Sequence, residues 1–247
     1  MAAKTVGAPN VKKEVMTVSK DNTPINLRIK FKKIGNLQYI SHLDLVRTMN
    51  KIVTRANLPL WYTEGFNPKP KMVFAAPLSI GTESVCEFMD LRLSEYIDPA
   101  LAMQRLNSNM TDEMQVTECY YPESKFTDLK WMSYTVRMNT LGASAELAER
   151  CNALFSEPVI EVLKNTKSGE RTVDIRPLIK SGSAVLQDGA IVVSLVLSAD
   201  PSSFLNPEYA VDALRKRCGV LSSENLLSES YGIIRECAYF EDMSEFR

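Results

Sequence analysis

The order of strand and helix patterns repeats halfway along the chain, and this repeat limits the possible folds more than any other feature. One alternating strand begins near Leu27, and a second begins near Met132, 105 residues later. Asp98 and Asn206 are helix-capping residue types that each precede a proline, and they lie 108 residues apart. A nearly constant offset favours two copies of one structural unit. The sequence therefore predicts an α+β protein of tandem ferredoxin-like (β-α-β-β-α-β) units with antiparallel sheets.

The same repeat predicts the domain organisation. Residues 1–24 show no hydrophobic period, and we expect them to form a flexible N-terminal arm. Residues 25–125 are predicted to form a basic ferredoxin-like domain, and residues 126–247 a second ferredoxin-like domain. Because the two halves are otherwise dissimilar in sequence, a coincidence between two ordinary α+β patterns is the alternative explanation of the offsets.

Positive charge is concentrated at one end of the chain. The formal net charge is −1, but residues 1–80 carry 13 Lys and Arg against 4 Asp and Glu. Residues 81–129 carry 3 against 10, and residues 130–247 carry 13 against 16. A concentrated cationic surface is typical of proteins that bind phosphate groups. A solvated surface of lysine tips is the alternative interpretation.

The composition argues against several classes of protein. No apolar run approaches the roughly 20 residues that a bilayer requires, and the N-terminus lacks the apolar segment of a signal peptide. The 5 cysteines are far apart and have no C-x-x-C spacing, so disulfides, zinc and iron–sulfur clusters lose support. The sequence also lacks glycine-rich phosphate motifs and a Ser-His-Asp set. We expect a cytoplasmic protein with no metal, no cofactor and no membrane association.

Two basic segments of the first half indicate contact with a phosphate backbone. In the first strand, Arg28, Lys30 and Lys32 alternate with apolar residues, so one face of this strand is predicted to be wholly cationic. Residues 65–71 read GFNPKPK, and their two prolines enforce an extended backbone from which the lysines project. A rigid cationic arm of this kind suits the backbone of a nucleic acid.

Aromatic residues around the same segments can stack unpaired bases. Most of them are expected in the core, but Tyr39 and Phe66 lie beside turns and are expected to be exposed. In the second half, residues 171–177 read RTVDIRP and can extend the cationic surface, although a surface Arg–Asp pair explains them equally well. The predicted RNA-binding residues are Arg28, Lys30, Lys32, Tyr39, Ser41, His42, Arg47, Phe66, Asn67, Lys69, Lys71, Arg171 and Arg176.

His42 is the only histidine of the chain, and it lies in the first turn of a helix that Ser41 and Asp44 are predicted to cap. Helix N-termini bind phosphate, and the helix dipole favours a neutral imidazole there. A neutral imidazole can act as a general base toward a ribose 2′-hydroxyl. A hydrogen bond to the local backbone or to a core carboxyl is the alternative role of His42.

Several segments together resemble a known bacterial family. These are a strand that ends at Gly35, SHLDL at 41–45, the Leu58-Pro59 step, GFNPKPK, and APLSIGTES at 76–84, with RTVDIRP as a weaker second segment. Over roughly residues 26–220 the chain resembles the radical SAM-associated (radical SAM-linked) proteins, a bacterial domain of unknown function. The resemblance implies a companion to a radical SAM enzyme in an RNA- or ribosome-related setting, and it supplies no activity or site residues.

Two classes of function follow. The first is an RNA- or ribonucleoprotein-binding accessory protein that works with a radical SAM enzyme in RNA modification or ribosome-related processing. Its partners would be a radical SAM protein and an RNA or ribosomal particle. The second is a metal-independent RNA-processing endonuclease with His42 as general base, by analogy with CRISPR repeat-RNA endonucleases. A base-modifying synthase is a third, weaker possibility. We favour the non-catalytic accessory protein because a single histidine, without a set of metal-ligating residues, provides few groups for catalysis.

Overall fold

The computed structural model describes residues 23–166, 169–223, 225 and 228–247. The predicted N-terminal arm, residues 1–24, lies outside the described residues except for Thr23 and Pro24. Within the described part the α-helices are α1 (His42–Arg55), α2 (Pro99–Asn107), α3 (Ala145–Phe155) and α4 (Pro207–Cys218). The strands are β1 (Ile25–Lys33), β2 (Met72–Phe74), β3 (Thr82–Leu93), β4 (Val116–Tyr120), β5 (Trp131–Asn139), β6 (Glu161–Thr166), β7 (Gly169–Asp174), β8 (Ile179–Gln187), β9 (Ala190–Ser198) and β10 (Ser230–Tyr239).

The helices begin at the residues that the sequence indicates. Ser41 caps α1, Asp98 caps α2 and Asn206 caps α4. Each capping side chain accepts a hydrogen bond from a backbone N–H of the first turn, at 3.2, 3.0 and 3.1 Å respectively. Pro99 and Pro207 occupy the first helical position, where no backbone donor is needed. These three predicted helix starts are confirmed.

The main sheet runs through both halves of the chain in the order β4-β1-β3-β10-β5-β9-β8, and β2 also pairs with β3. All of its strand pairs are antiparallel except β3 with β10, which are parallel. β6 and β7 form a separate antiparallel hairpin. The protein is therefore a mixed α+β fold with a mostly antiparallel sheet.

The strands of the two halves are joined in one sheet, and the length of β3 explains how. β3 has 12 residues, and two strands share one of its edges. β2 pairs with its distal end at 89–91, whereas β10 pairs with its proximal end at 82–84. Hydrogen bonding therefore continues from the first half of the chain into the second.

Two buried clusters fill the fold. In the first, Leu27 and Phe31 of β1 are fully buried with Met49 of α1 and Leu106 of α2. The second combines β5 and β9 with α3 and α4, and it includes Phe88 of the first half. The alternation of apolar residues along β1 and β5 thus buries one side of each strand beneath a pair of helices.

Arg235 of β10 lies at the junction of the two halves and is 2% exposed. Its Nη1 donates to Glu87 Oε1 at 2.8 Å and to the Ala76 carbonyl at 3.2 Å. Nη2 donates to the Pro77 carbonyl and Nε to the Tyr134 hydroxyl, both at 3.2 Å. One guanidinium therefore joins β10 to β3, to β5 and to the segment that follows β2.

The last residues of the chain cover part of the sheet. The Phe246 side chain is fully buried, and its ring centroid lies 5.3 Å from that of Phe88 and 5.1 Å from that of Phe240. The Arg28 guanidinium lies 5.0 Å from the Phe246 ring. The C-terminal segment therefore encloses the side of β1 that carries Arg28.

Because a buried charge without its partner is strongly destabilising, we predict that Arg235→Met lowers the free energy of unfolding by about 3–5 kcal/mol. The double variant Arg235→Met/Glu87→Met leaves no unpaired charge and should recover most of that loss. Urea unfolding of both variants measures the effect. Arg217→Met, which breaks the more exposed pair with Glu157, is the control and should cost no more than about 1 kcal/mol. Equal losses for Arg235→Met and Arg217→Met would contradict the assigned role of Arg235.

Candidate nucleic-acid interface

A groove of about 670 Å³ lies between α1, β2 and the segment before β2. We call it the basic groove. Two of the predicted RNA-binding lysines line it, together with residues of α1 and β3. Its lining residues are Pro24, Val46, Asn50, Thr63, Lys69, Pro70, Lys71, Met72, Val73 and Arg92.

Backbone hydrogen bonds close the loop of residues 63–69 on one side of the basic groove. The Thr63 N–H donates to the Lys69 carbonyl at 2.8 Å, and the Lys69 N–H donates to Thr63 Oγ1 at 3.0 Å. Below the loop, the Lys71 N–H donates to the Trp61 carbonyl at 3.0 Å. Because its base is tied in this way and its prolines restrict the backbone, the loop holds its side chains out from the body of the protein.

Phe66 lies in this loop and has a relative exposure of 111%, the highest among the exposed large apolar residues of the described chain. Its neighbour Asn67 is exposed as well, and so are Lys69 and Lys71. Gly65 has φ of 124°, a value that favours glycine and allows the sharp turn before Phe66. These four predicted site residues therefore lie on one accessible segment, residues 66–71.

The cations of the basic groove have no acidic partner within the described residues. The side chains of Lys69, Lys71 and Arg92 form no ion pair and no hydrogen bond there, and the groove lining contains no Asp or Glu. Unpaired cations that share one concave surface raise its positive potential and attract anions. The groove therefore presents three cations without acidic partners on one concave surface.

The start of α1 lies beside the groove. The His42 ring is exposed, and its centroid lies 5.3 Å from that of Phe74 in an edge-on arrangement. Phe74 follows Val73, which lines the groove, whereas neither His42 nor Phe74 is among the lining residues. Tyr39, 64% exposed, precedes α1. The structure thus brings His42 close to the groove and leaves Tyr39 accessible.

Ser41 and Arg47 are engaged with Asp44. The Ser41 hydroxyl donates to Asp44 Oδ2 at 2.7 Å, and Arg47 Nη1 donates to Asp44 Oδ1 at 3.2 Å. The hydrogen bond from Ser41, followed by the contact with Arg47, lowers the pKa of Asp44. Ser41 therefore acts as the predicted cap, and the exposed Arg47 guanidinium is partly neutralised.

Arg28 lies outside the accessible surface. Its Nε and Nη2 donate to the two carboxylate oxygens of Asp90 at 2.7 and 2.9 Å, and its Nη1 donates to Ser124 Oγ at 2.7 Å. Its guanidinium also lies 4.3 Å from the Phe126 ring, and the residue is fully buried. The prediction of an open, wholly cationic face on β1 is wrong, because β3 supplies Asp90 opposite Arg28 and the C-terminal segment covers both.

Lys30 is likewise paired. Its ammonium donates to Glu118 at 2.8 Å and to Glu245 at 2.7 Å, and its side chain is 13% exposed. Burial lowers the pKa of Lys30, but the hydrogen bonds to the two carboxylates outweigh burial and the pKa is raised. Lys32 is half-buried and does not line the basic groove. None of the three predicted cations of β1 therefore contributes to the groove.

The two predicted arginines of the second half also lie outside the groove lining. Arg171 is exposed on β7, opposite Lys164 of β6. Arg176 is half-buried, and its Nη1 donates to the Ile179 carbonyl at 2.7 Å. Asp174 accepts from the Arg176 backbone N–H rather than from either guanidinium. The prediction that these residues bind RNA stays a prediction.

Sequence reasoning missed Arg92, Val46 and Asn50 of the groove. Arg92 falls in the acidic segment 81–129, so the charge count directs attention away from it. Its backbone N–H donates to the Lys71 carbonyl at 3.0 Å, which places it beside the basic loop. Only the pairing of the segment before β2 with β3 reveals that Arg92 lies near Lys71. The spacing of Val46 and Asn50 along α1 could have indicated that these two residues share one helix face.

Comparison with known families gives one match, over residues 26–207, to the family described as an uncharacterized protein conserved in bacteria (DUF2344). The chain belongs to this family. The predicted resemblance to a bacterial domain of unknown function is thereby confirmed, and the association with radical SAM enzymes stays a prediction. The comparison with curated proteins found no match.

Several solved structures resemble the chain at low similarity. A Cbf5-Nop10-Gar1 complex has a TM-score of 0.45 and 11% identity, with 86% of this chain and 48% of that chain covered. The archaeal box H/ACA sRNP Nop10-Cbf5 complex has a TM-score of 0.42 and 12% identity, with 85% and 46% covered. An unknown protein from Galdieria sulphuraria has a TM-score of 0.25 and 11% identity, with 86% and 99% covered. The chain spans less than half of the first two, and these scores support no argument about function.

Two further findings bear on the class of protein. Within the described residues, no group of three or more His, Cys, Asp or Glu side chains is arranged to hold a metal ion. No helix in the same part of the chain has both the length and the apolar character needed to cross a bilayer.

The engagement of Ser41 with Asp44 leads to a prediction about its role. Ser41→Ala removes the cap of α1 and should lower the free energy of unfolding by about 1 kcal/mol, as measured by urea unfolding. Ser41→Thr keeps a hydroxyl that can accept from the Asp44 N–H and donate to its carboxylate, and it should retain most of the stability of the wild type. If Ser41→Thr is as unstable as Ser41→Ala, side-chain capping does not explain the contribution of this residue.

Proposed function

We propose that the chain is an RNA-binding accessory protein and that the basic groove holds the phosphate backbone of a single-stranded RNA. One observation carries this proposal: Lys69, Lys71 and Arg92 line one concave surface without acidic partners in the described residues. Elsewhere in the first half, cations such as Arg28 and Lys30 are paired with carboxylates. The groove therefore keeps part of the charge of the basic segment available to an external anion.

The exposed ring of Phe66 makes single-stranded RNA a better candidate ligand than other anions. A fully exposed phenyl ring gains nothing from burial in the free protein, and its face is open to a ligand. An unpaired base can stack on such a ring while neighbouring lysines hold the adjacent phosphates. Asn67, next to Phe66, offers an amide for the edge of a base. The loop thus combines the groups that recognise an unpaired nucleotide.

At the level of the fold, we propose that the two halves are tandem ferredoxin-like units. The strand order is β4-β1-β3-β2 in the first half and β10-β5-β9-β8 in the second. In each half, the first helix follows the first strand and the second helix precedes the last strand. In this interpretation the β6–β7 hairpin is an insertion in the second unit, and the domains are residues 25–125 and 126–247.

We further propose that the RNA-bound protein works beside a radical SAM enzyme in the cytoplasm, in RNA modification or ribosome-related processing. This part rests on the sequence motifs GFNPKPK and APLSIGTES. The first motif forms the loop that carries Phe66, and the second leads into β3, so both lie in the half that contains the groove.

An RNA-processing endonuclease is the second candidate, and the position of His42 favours it. The imidazole is exposed, and its ring centroid lies 5.3 Å from that of Phe74, whose neighbour Val73 lines the basic groove. In this candidate function, a bound strand extends from the groove to His42 and presents a ribose 2′-hydroxyl to it. A nuclease and a binding protein therefore share the same surface and differ in the role of His42.

If the groove binds phosphates, Lys69→Gln/Lys71→Gln should weaken binding of a short oligouridylate and flatten its salt dependence. Each lost phosphate contact reduces the slope of log K against log salt by about 0.7, so the double variant should lose about 1.4. Fluorescence anisotropy between about 50 and 200 mM salt gives the slope.

The matched control is Arg150→Gln/Lys216→Gln, which removes two exposed cations from α3 and α4. It carries the same net charge as the groove variant and should bind like the wild type. Equal losses in the two variants would mean that the overall charge of the protein, rather than the basic groove, determines binding.

The role of His42 separates the two candidates. In the favoured interpretation, purified protein does not cleave RNA with or without magnesium, and His42→Ala changes at most the affinity. A general base contributes roughly 10²–10⁴-fold in rate, so a nuclease would lose cleavage in His42→Ala at nearly unchanged affinity. Gel analysis of labelled RNA with the wild type and His42→Ala distinguishes them. Metal-independent cleavage that depends on His42 would establish the endonuclease.

A further inference from the structure

Two cysteines from different halves of the chain meet on one side of the main sheet. Cys86 lies on β3 and Cys237 on β10, and they are 151 residues apart in the sequence. β3 and β10 are parallel neighbours, with Ser84 paired to Arg235. Each cysteine follows its member of that pair by two residues, so the register sets Cys86 beside Cys237.

Both cysteine side chains point away from the buried Arg235–Glu87 ion pair. Cys86 precedes Glu87, which accepts from Arg235, so the alternation of β3 directs the Cys86 side chain to the other side of the sheet. The pairing of β10 with β5 contains a bulge, so that Arg235 lies opposite Tyr134 and Cys237 opposite the residue before it. The bulge thus turns Cys237 to the same side of the sheet as Cys86.

The two thiols are in direct contact. A hydrogen bond joins the side chains of Cys86 and Cys237. The Cys237 thiol also donates to the Ala238 carbonyl at 3.7 Å, so its sulfur is free to accept from Cys86. Neighbouring strands lie about 4.8 Å apart, which falls within the Cα separation of about 4.4–6.8 Å that a disulfide bridges. The positions of the two cysteines are therefore compatible with a disulfide.

Cys237 is the more reactive of the two thiols. Cys86 is fully buried, whereas Cys237 is partly exposed. The hydrogen bond from Cys86, supported by one from Tyr239, outweighs burial and lowers the pKa of Cys237. Donation of that hydrogen bond, together with burial, raises the pKa of Cys86. Because the thiolate is the nucleophilic form of cysteine, Cys237 is the attacking group and Cys86 the second thiol.

The charged side chains that face the two thiols are Lys30, Glu87 and Glu245. Lys30 favours negative charge at Cys86, whereas Glu87 disfavours it there and Glu245 disfavours it at Cys237. Glu245 accepts from the Lys30 ammonium at 2.7 Å, and Glu87 accepts from a buried guanidinium. Since both carboxylates are paired with cations, their repulsion of a thiolate is reduced.

The other three cysteines lack this combination of contact and access. Within the described residues, Cys119 of β4 has no hydrogen bond to another cysteine, and burial raises its pKa to about 12. Cys151 of α3 and Cys218 of α4 are hydrogen-bonded to each other, but both are buried. A small oxidant in the solvent therefore reaches Cys237 more readily than these three thiols.

We propose that Cys86 and Cys237 form a thiol-oxidation site, at which hydrogen peroxide converts the two thiols into a disulfide between β3 and β10. The Cys237 thiolate attacks one peroxide oxygen, so that an S–O bond forms, the O–O bond breaks and the other oxygen leaves with protons as water. The Cys86 thiol then attacks the Cys237 sulfur, the S–S bond forms, the S–O bond breaks and a second water leaves. Two thiols thus lose two electrons and two protons, and one peroxide is reduced. A dithiol reductant reverses the reaction.

The disulfide would join the two halves of the chain where few backbone pairs hold them. The pairing of β3 with β10 covers residues 82–84 and 233–235, and Arg235 links the same strands through Glu87. A covalent bond next to this junction would keep the halves together in the oxidised protein. The site shares no residue with the basic groove, so it does not depend on the proposed function of that groove.

Peptide mapping tests the proposal. Reduced full-length protein is treated with one equivalent of hydrogen peroxide at neutral pH, the remaining thiols are alkylated, and peptides are separated without reductant. Mass spectrometry should find a peptide that links Cys86 to Cys237, and dithiothreitol should remove the linkage. The oxidised protein should also unfold at a higher urea concentration than the reduced protein. In urea above the unfolding transition, peroxide should no longer favour this pair.

Variants separate the roles of the two thiols. In Cys86→Ser no disulfide can form, so dimedone should trap a sulfenic acid at Cys237, and peroxide should no longer raise the urea midpoint. Cys86→Ala is the second variant, because a hydroxyl at a buried position can itself destabilise the fold. Cys237→Ser should leave Cys86 unmodified. Cys119→Ser is the matched control and should form the same linkage as the wild type.

Three results would overturn the proposal. One is the absence of the Cys86–Cys237 peptide while peroxide is consumed by other thiols, such as a linkage of Cys151 to Cys218. Another is oxidation of Cys237 to a sulfinic acid while Cys86 stays a free thiol. The third is dimedone labelling of Cys119 that equals that of Cys237 in Cys86→Ala, which would mean that Cys237 has no special reactivity.

Discussion

The parallel pairing of β3 with β10, fixed by the buried guanidinium of Arg235, is the constraint on which the rest of the structure depends. Burying a charge is costly unless its partners are complete, and here Glu87, two carbonyls and the Tyr134 hydroxyl satisfy it. Those partners belong to both halves of the chain and to the segment that follows β2. Correct docking of the halves is therefore coupled to the position of β2, and through β2 to the loop that lines the basic groove.

Charge pairing also decides which part of the basic segment faces solvent. Arg28 and Lys30 lie on strands whose neighbours carry Asp90 and Glu118, and the C-terminal segment adds Glu245 and the ring of Phe246. These cations stabilise the protein and are withdrawn from any external ligand. The loop before β2 lies beyond the reach of those carboxylates, so its lysines keep their charge free. The proposed binding surface is thus made of cations that these internal ion pairs do not include.

The sequence predicted local features well where they depend on neighbouring residues. Ser41, Asp98 and Asn206 begin helices as expected, because a cap requires only a side-chain oxygen and the next few backbone donors. The exposure of Tyr39 and Phe66 follows in the same way from their positions beside turns. Arg28 was misplaced on the surface because its burial depends on Asp90, 62 residues away, and on a C-terminal segment that no local pattern connects to β1.

By itself the sequence determined the α+β class, the starts of three helices and the cationic loop, since alternation, helix caps and prolines act over a few residues. Only the tertiary structure decided that the strands of both halves, apart from the β6–β7 hairpin, form one continuous sheet, and that Arg92 joins Lys69 and Lys71 in a groove. Those outcomes depend on which strand edges pair and which carboxylates meet which cations. Such contacts join residues far apart in the chain, and their energies are set by burial that a linear pattern does not reveal.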